Sequence, residues 1–286
     1  EILTCDWSSD VCSSDLCFNA SLVLAAPLVA LSANSPYLFG RDLWDETRIP
    51  LFEQAVDTGD AVEPGEHRVT FGQGYLESGP RECFAENIER YPVLLPAQFD
   101  SAPEEFCHLS LHNGTIWRWV RPLLGFNEAG VPHVRIEQRV MAAGPTIVDM
   151  MANAAVYFGA VRSLAGRRVA PEADLPFDIA RTNLYSAAKE GLNARLAWLD
   201  GRGAGASELL LQEILPLARQ GLAQYRVDTQ DIERYLDVAE ARVRAGQNGA
   251  AWQRAFVATH GRDLARMTAA YLRHQQSGRP VHEWPV

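Results

Sequence analysis

After Gly144-Pro145 the apolar residues of this 286-residue chain recur every three to four positions, through about 147–164, 177–199, 206–225, 229–245 and 262–276. That spacing puts them on one face of a helix, so the second half of the chain must bury its stripes helix against helix. Behind the turn, Met150, Met151, Ala154 and Phe158 repeat with helical spacing, which predicts that this stripe is buried against a sheet. The sheet has to come from earlier residues. The runs 107–112 and 115–120 are rich in aromatic and β-branched residues and flank Asn113-Gly114, a strong hairpin signal. Residues 132–141 read as a third strand. Before them, 22–33 reads as a helix ending at Asn34-Ser35-Pro36, and 84–95 as another helix. Residues 57–82 read as Gly- and Pro-rich loop with a short strand near 67–71. The expected class is α+β, part of an antiparallel sheet followed by a mainly helical C-terminal half.

The first sixteen residues fit neither pattern. DWSSDVCSSDL, from Asp6 to Leu16, contains a near-repeat and no basic residue. Read backwards into codons it matches a common sequencing-library adapter, so 1–16 is expected to be a disordered scar that packs against nothing. Without its four acids the net charge of -10 becomes -6, and Cys5 and Cys12 leave the cysteine count. An apolar run follows directly from Cys17, so the natural N-terminus is expected to be missing. The run is not expected to be a signal peptide, because no basic region precedes it, nor a membrane span, because Asn19, Ser21 and Pro27 interrupt it. A buried helix is expected there. Residues 17–286 are then one unit, mixed over 17–144 and mainly helical over 145–286.

Composition narrows the function classes. With 47% hydrophobic and 22% charged residues the chain is an ordinary globular sequence. Its acidic balance argues against nucleic acid, whose phosphates require clustered Lys and Arg. Five cysteines without a CxxC pair indicate neither a zinc site nor a disulfide framework. A reducing, cytoplasmic setting is expected, with no membrane partner.

The most informative stretch is PHVRIEQRV, 132–140. Side chains in a strand alternate faces, so His133, Arg135, Glu137 and Arg139 share one face and Val134, Ile136 and Val140 the other. Two guanidinium groups flank a carboxylate. An exposed strand face with cross-strand ion pairs accounts for this pattern. So does a site where Arg gives paired donors to phosphate or carboxylate and Glu holds a divalent metal. The pattern alone leaves both readings open.

LSANSPYLFGRD, LHNGTIWRWVRP, PHVRIEQRVMAAGPTIVDMMANAAVYFG, GAAWQR and PVHEWPV, in this order, resemble the second half of the glutamate–cysteine ligase type 2 family of carboxylate–amine ligases. The likeness runs from about residue 20 to the end. It implies a fold similar to glutamine synthetase, with a curved antiparallel sheet holding ATP and Mg2+ and helices packed outside. It also implies ATP-dependent amide formation through an acyl phosphate, with the γ-carboxylate of glutamate and the amine of cysteine as substrates, as in glutathione biosynthesis. Other amino acid carboxylates and amines would suit the same site, and the family allows a homo-oligomer.

By the same resemblance Glu137 matches a metal-binding glutamate in an R-x-E-x-R strand. Arg139 matches the arginine facing the transferred phosphate of ATP, and Arg135 supports that anion. Asn113, Thr115, Trp117 and Arg121 fall in a segment that lines the substrate side. Plainer readings stand beside these. Trp117 and Trp119 suit sheet packing, Asn113 suits a turn, His112 a satisfied polar position, and Arg118 and Arg121 suit solvated charges. The family's earlier acidic strands have no counterpart here, so the polypeptide is expected to be a C-terminal fragment, inactive by itself. The alternative is a non-catalytic ligand-binding or scaffold protein on the same fold.

Overall fold

The computed structural model describes residues 3–6, 11–57 and 67–286. In chain order the first elements are β1 (Leu3–Asp6), α1 (Val11–Val23), α2 (Ala25–Ser32), β2 (Tyr37–Leu38), β3 (Arg41–Asp42) and α3 (Arg48–Ala55). Next come α4 (Arg81–Arg90), α5 (Cys107–Gly114), β4 (Val120–Phe126) and β5 (Pro132–Gln138). The remainder is α6 (Ile147–Ala165), α7 (Pro171–Asp174), α8 (Phe177–Glu190), β6 (Arg195–Ala197), β7 (Gly203–Gly205) and α9 (Ala206–Leu209). A π-helical stretch, Leu210–Ile214, leads into α10 (Leu215–Gln224), followed by α11 (Thr229–Ala245), α12 (Gly249–His260) and α13 (Leu264–Ser277). The class is α+β and mainly helical. The chain divides into two compact units, Ile2–Leu22 with Pro50–Arg139, and Val23–Ile49 with Val140–Val286.

The first unit carries an antiparallel sheet of order β1-β5-β4. β4 and β5 form a hairpin in which Val120 lies opposite Gln138, Arg121 opposite Glu137 and Phe126 opposite Pro132. Its turn is 127–131. The Asn127 side chain accepts the amides of Ala129 and Val131, and Gly130 takes a φ of 74° that a side chain would disfavour. The hairpin expected at Asn113-Gly114 is therefore corrected. Residues 107–114 form α5, and Asn113-Gly114 is its C-terminal end, with the Thr115 hydroxyl donating back to the His112 carbonyl at 2.7 Å. The alternation of CHLSLH suits a strand, but side-chain bonds to α4 decide for the helix: Asn87 Nδ2 donates to Asn113 Oδ1 at 2.9 Å. The strand expected near 67–71 is replaced by an irregular extended segment. It accepts the amides of Trp117 and Trp119 at Arg68 and Thr70.

The leader expected to pack against nothing is a second correction for residues 3–6, while residues 1–2 and 7–10 lie outside the described ones. Leu3–Asp6 pairs antiparallel with β5, Leu3 opposite Gln138, and α1 begins at Val11. Backbone pairing at an open strand edge depends little on the incoming side chains. Once the apolar run from Cys17 is helical, extending it backwards through residues free of Gly and Pro adds one hydrogen bond per residue.

The second unit is built around α6. Gly159 on α6 and Gly221 on α10 face each other so closely that a Cβ on either would collide with the opposing backbone. α11 packs on α6 as well, and α2 is buried along its whole length. Asp149 and Asn153 of α6 receive the fully buried guanidinium of Arg242 from α11, at 2.7 and 2.5 Å. Asp149 also accepts the Val281 amide, which fixes the C-terminal segment. There Trp284 packs edge-on against Trp252 and Tyr271 and stacks on His274.

Three helical expectations need amendment. Of the expected stripe α6 buries Ala154, whereas Met151 is exposed and Met150 and Phe158 are only half-buried; the buried face is otherwise Ala152, Asn153, Val156, Tyr157, Gly159 and Ala160. Its close partners are α10 and α11, so the stripe that matters is small and polar enough to admit another helix and a guanidinium. The helix expected over 177–199 stops at Glu190, where Gly191 adopts a φ of 53° against the Asp45 carboxylate. Between α11 and α13 the apolar spacing predicts no element, yet α12 is there. Its N-cap is Asn248, whose side chain accepts the Ala251 amide.

Candidate functional site

On β5 the odd-numbered side chains share a face with those of β4. Directly across from Glu137 is Arg121, across from Arg135 is Leu123, and across from His133 is Gly125. The missing side chain at Gly125 is what gives His133 and Arg135 room, since a Cβ there would press on His133 Nε2 and Arg135 Nε. Arg135, Glu137, Arg121 and, just beyond the strand, Arg139 therefore stand side by side.

Glu137 is 1% exposed. Its Oε2 accepts Arg121 Nε at 2.5 Å and has Arg139 Nε at 3.7 Å. Arg121 is itself fixed, with Nη1 donating to the carbonyls of Ile116 at 2.8 Å and Asn113 at 3.2 Å. The Arg139 guanidinium lies over the Phe52 ring, 5.2 Å from its centroid, and Phe52 in turn packs on Trp117 and Trp119. Glu53 on the same helix accepts Trp119 Nε1 at 2.9 Å. Arg135 Nε is buried and has no hydrogen-bond partner. Two guanidinium groups thus meet one carboxylate, and a third, that of Arg135, stands next along the same face. Such a face carries surplus positive charge in a poorly hydrated setting, where a bidentate oxyanion is the complementary guest.

The other residues singled out by sequence divide. Trp117 is half-buried beside Phe52, and Arg121 touches Glu137, so both belong to this face. Asn113 and Thr115 do not join it through their side chains. Asn113 is buried with its amide held by Asn87 and by the Pro122 carbonyl, and Thr115 Oγ1 accepts Arg68 Nη1 at 2.9 Å. What the sequence missed is Phe52, whose ring sets the position of Arg139. No local signal marks it, because α3 is far from β5 along the chain.

The model of glutamate-cysteine ligase family 2 matches residues 3–270. The chain belongs to this family. It is therefore related to carboxylate–amine ligases, whose substrates are small molecules. No curated protein shows a significant match to it. Ligase chemistry of this class needs a place for anionic oxygens, and the arginine face offers one. Among the described residues no three His, Cys, Asp or Glu side chains cluster as a metal site. No single helix there is long and apolar enough to cross a membrane. α1 and α2 together pass on length and composition alone, and both are buried from Cys17 onward.

Proposed function

We propose that the β4–β5 face is part of the active site of an ATP-dependent carboxylate–amine ligase that joins the γ-carboxylate of glutamate to the amine of cysteine. The observation that carries this reading is the buried Glu137 held between Arg121 and Arg139, with the unpartnered Arg135 Nε beside it. The residues fit a polyphosphate: three cations against one anion, with Arg139 braced by an aromatic ring. For a metal they offer one carboxylate, Glu137, with Oε2 taken by Arg121. That suits a magnesium ion whose other ligands are water and phosphate oxygens, the usual arrangement for this ion, and not an all-protein cage.

ATP with magnesium, when bound, supplies the phosphoryl group that activates a carboxylate for attack by an amine. Arg139 and Arg135 bind and orient the phosphate oxygens and stabilise charge that grows on them during transfer. Arg121 holds Glu137 in one rotamer and prevents it from repelling the incoming phosphates. Phe52 and Trp117 keep water from the guanidinium of Arg139, which strengthens its pull on an anion.

Two substitutions should fail differently. Glu137→Gln keeps the size but removes the anion, so it should raise the magnesium requirement and be partly restored by excess metal. Arg139→Lys keeps the charge but loses the two-donor fork, so turnover should fall more than nucleotide affinity and metal should not restore it. The measurement is ADP release dependent on both carboxylate and amine across a magnesium series, together with direct nucleotide binding. If both variants match the parent, the arginine face is only an ion-paired strand surface. A chain that binds no nucleotide at all favours the scaffold reading.

A further inference from the structure

The first unit contains a cavity of about 230 Å³ lined by Phe18, Phe71, Gly74, Cys83, Glu86 and Arg118, among others. A water needs only about 10–15 Å³ by a comparable measure, and a dry cavity of about 150 Å³ admits benzene. The space is thus large enough for a small organic molecule. Its mouth is braced. Asn19 on α1 exchanges two hydrogen bonds with the backbone of Leu76, at 2.9 and 2.8 Å. The Glu82 carboxylate accepts the amides of Glu77 and Ser78 and the Ser78 hydroxyl, which ties the glycine-bearing loop to the first turn of α4.

Arg118 reaches this cavity from between Trp117 and Trp119. In an extended segment alternate side chains point to opposite sides, so the two tryptophans turn to Phe52 while Arg118 turns to α4. It is 3% exposed. Its Nη2 donates to Asn87 Oδ1 at 2.8 Å and lies 2.9 Å from Glu86 Oε1. Its Nε has no partner, and Glu86 Oε1 has only the ion-pair contact without hydrogen-bond geometry. Arg118 Nε is thus a buried donor left unfilled, and Glu86 Oε1 is a buried acceptor met only by an ion pair, a combination suited to a guest that carries both complements. The rest of the wall mixes apolar Phe18 and Phe71 with Tyr75 and the Glu82 carboxylate, which the Ser78 hydroxyl and the amides of Glu77 and Ser78 already occupy, and burial pushes the Cys83 thiol up to about 11, so it stays protonated.

We propose that this cavity binds a free small α-amino acid, with the carboxylate on Arg118 Nε and the ammonium on Glu86. The site is separate from the Glu137 face and does not depend on the ligase reading. It is nevertheless wired to that face. Asn87 links Arg118 to Asn113, and the Asn113 carbonyl accepts Arg121, the partner of Glu137.

The test is calorimetric titration of the full chain, without nucleotide, with L-alanine, L-serine and L-cysteine. N-acetyl-L-alanine and L-alanine methyl ester serve as probes lacking one charge each. Saturable binding of a free amino acid is expected, and each masked probe should bind about tenfold or more weakly, because one charge-assisted hydrogen bond is lost. Cys83→Met should fill the cavity and abolish binding, and Glu86→Gln should weaken it by about tenfold. If Cys83→Met does not fold, Glu86→Gln decides. The proposal is overturned if none of the three amino acids binds saturably at millimolar concentration. Equal binding of a masked probe, or undiminished binding by the folded variants, overturns it as well.

Discussion

Arg242 is 1% exposed and its charge is met by Asp149 at 2.7 Å and by Asn153. A buried pair of this kind adds little net stability, because desolvation offsets the attraction. Breaking it is costly, because the remaining charge keeps no partner. Arg242→Met should therefore destabilise the chain by about 3–5 kcal/mol in urea unfolding. A loss under about 1 kcal/mol would mean that Asp149 finds water or takes up a proton. The same reasoning separates Arg242 from Arg139. Both are paired arginines, but Arg242 is the one guanidinium among the described residues ion-paired to Asp149, whereas Arg139 shares Glu137 with Arg121 at 3.7 Å against 2.5 Å.

At the scale of elements, the α6–α10 crossing depends on two glycines. With Gly159 and Gly221 opposed, the helix backbones touch, so side-chain volume at either position must separate the helices. Gly159→Ala should cost about 1–3 kcal/mol despite the better helix propensity of alanine. Thermal melting checks this, and an unchanged or higher Tm would show that α10 can shift without loss. The start of α6 is a separate matter. Thr146 accepts the Asp149 amide and donates to its carboxylate at 2.7 Å. Thr146→Ala should lose about 1 kcal/mol as a missing N-cap. A loss as large as that of Gly159→Ala would show that the Thr146 bond also positions Asp149 for Arg242.

At the scale of the whole chain, stability should respond to pH through the C-terminal aromatic cluster. Burial lowers the pKa of His282, with Glu283 and Asp149 pulling it up and Arg242 pushing it down. His274 is lowered first by burial and then by Arg273 and Arg279. The unfolded chain takes up these protons near pH 6.5 and the folded chain only at lower pH. Their contribution is thus complete above about pH 6.5 and is lost as the pH falls below it. Asp45 and Glu46, raised chiefly by burial, act with the opposite sign nearer the carboxylate range. Comparing the pH dependence of Tm for the parent and His282→Gln isolates the histidine. The variant should show a shallower acid loss, and parallel curves would rule this account out.

Sequence alone determined the helical second half and the strand 132–138, because periods of 3.6 and 2 are written in the residues themselves. It also determined that Arg135, Glu137 and Arg139 share a face, since alternation needs no partner. The family likeness rested on motifs in this same order. What lies opposite that face was decided only by tertiary structure. The turn at 127–131 sets the register, and that register brings Arg121, not a metal ligand, against Glu137. α5 looked like a strand because its alternation is real, and the bonds of Asn113 and His112 to Asn87 of α4 favour the helix. The Met150–Phe158 stripe looked buried because it is apolar, but packing selected the small face that lets α10 approach and Arg242 enter. Residue periodicity specifies which side chains travel together, while the choice of neighbour depends on long-range contacts that no local pattern encodes.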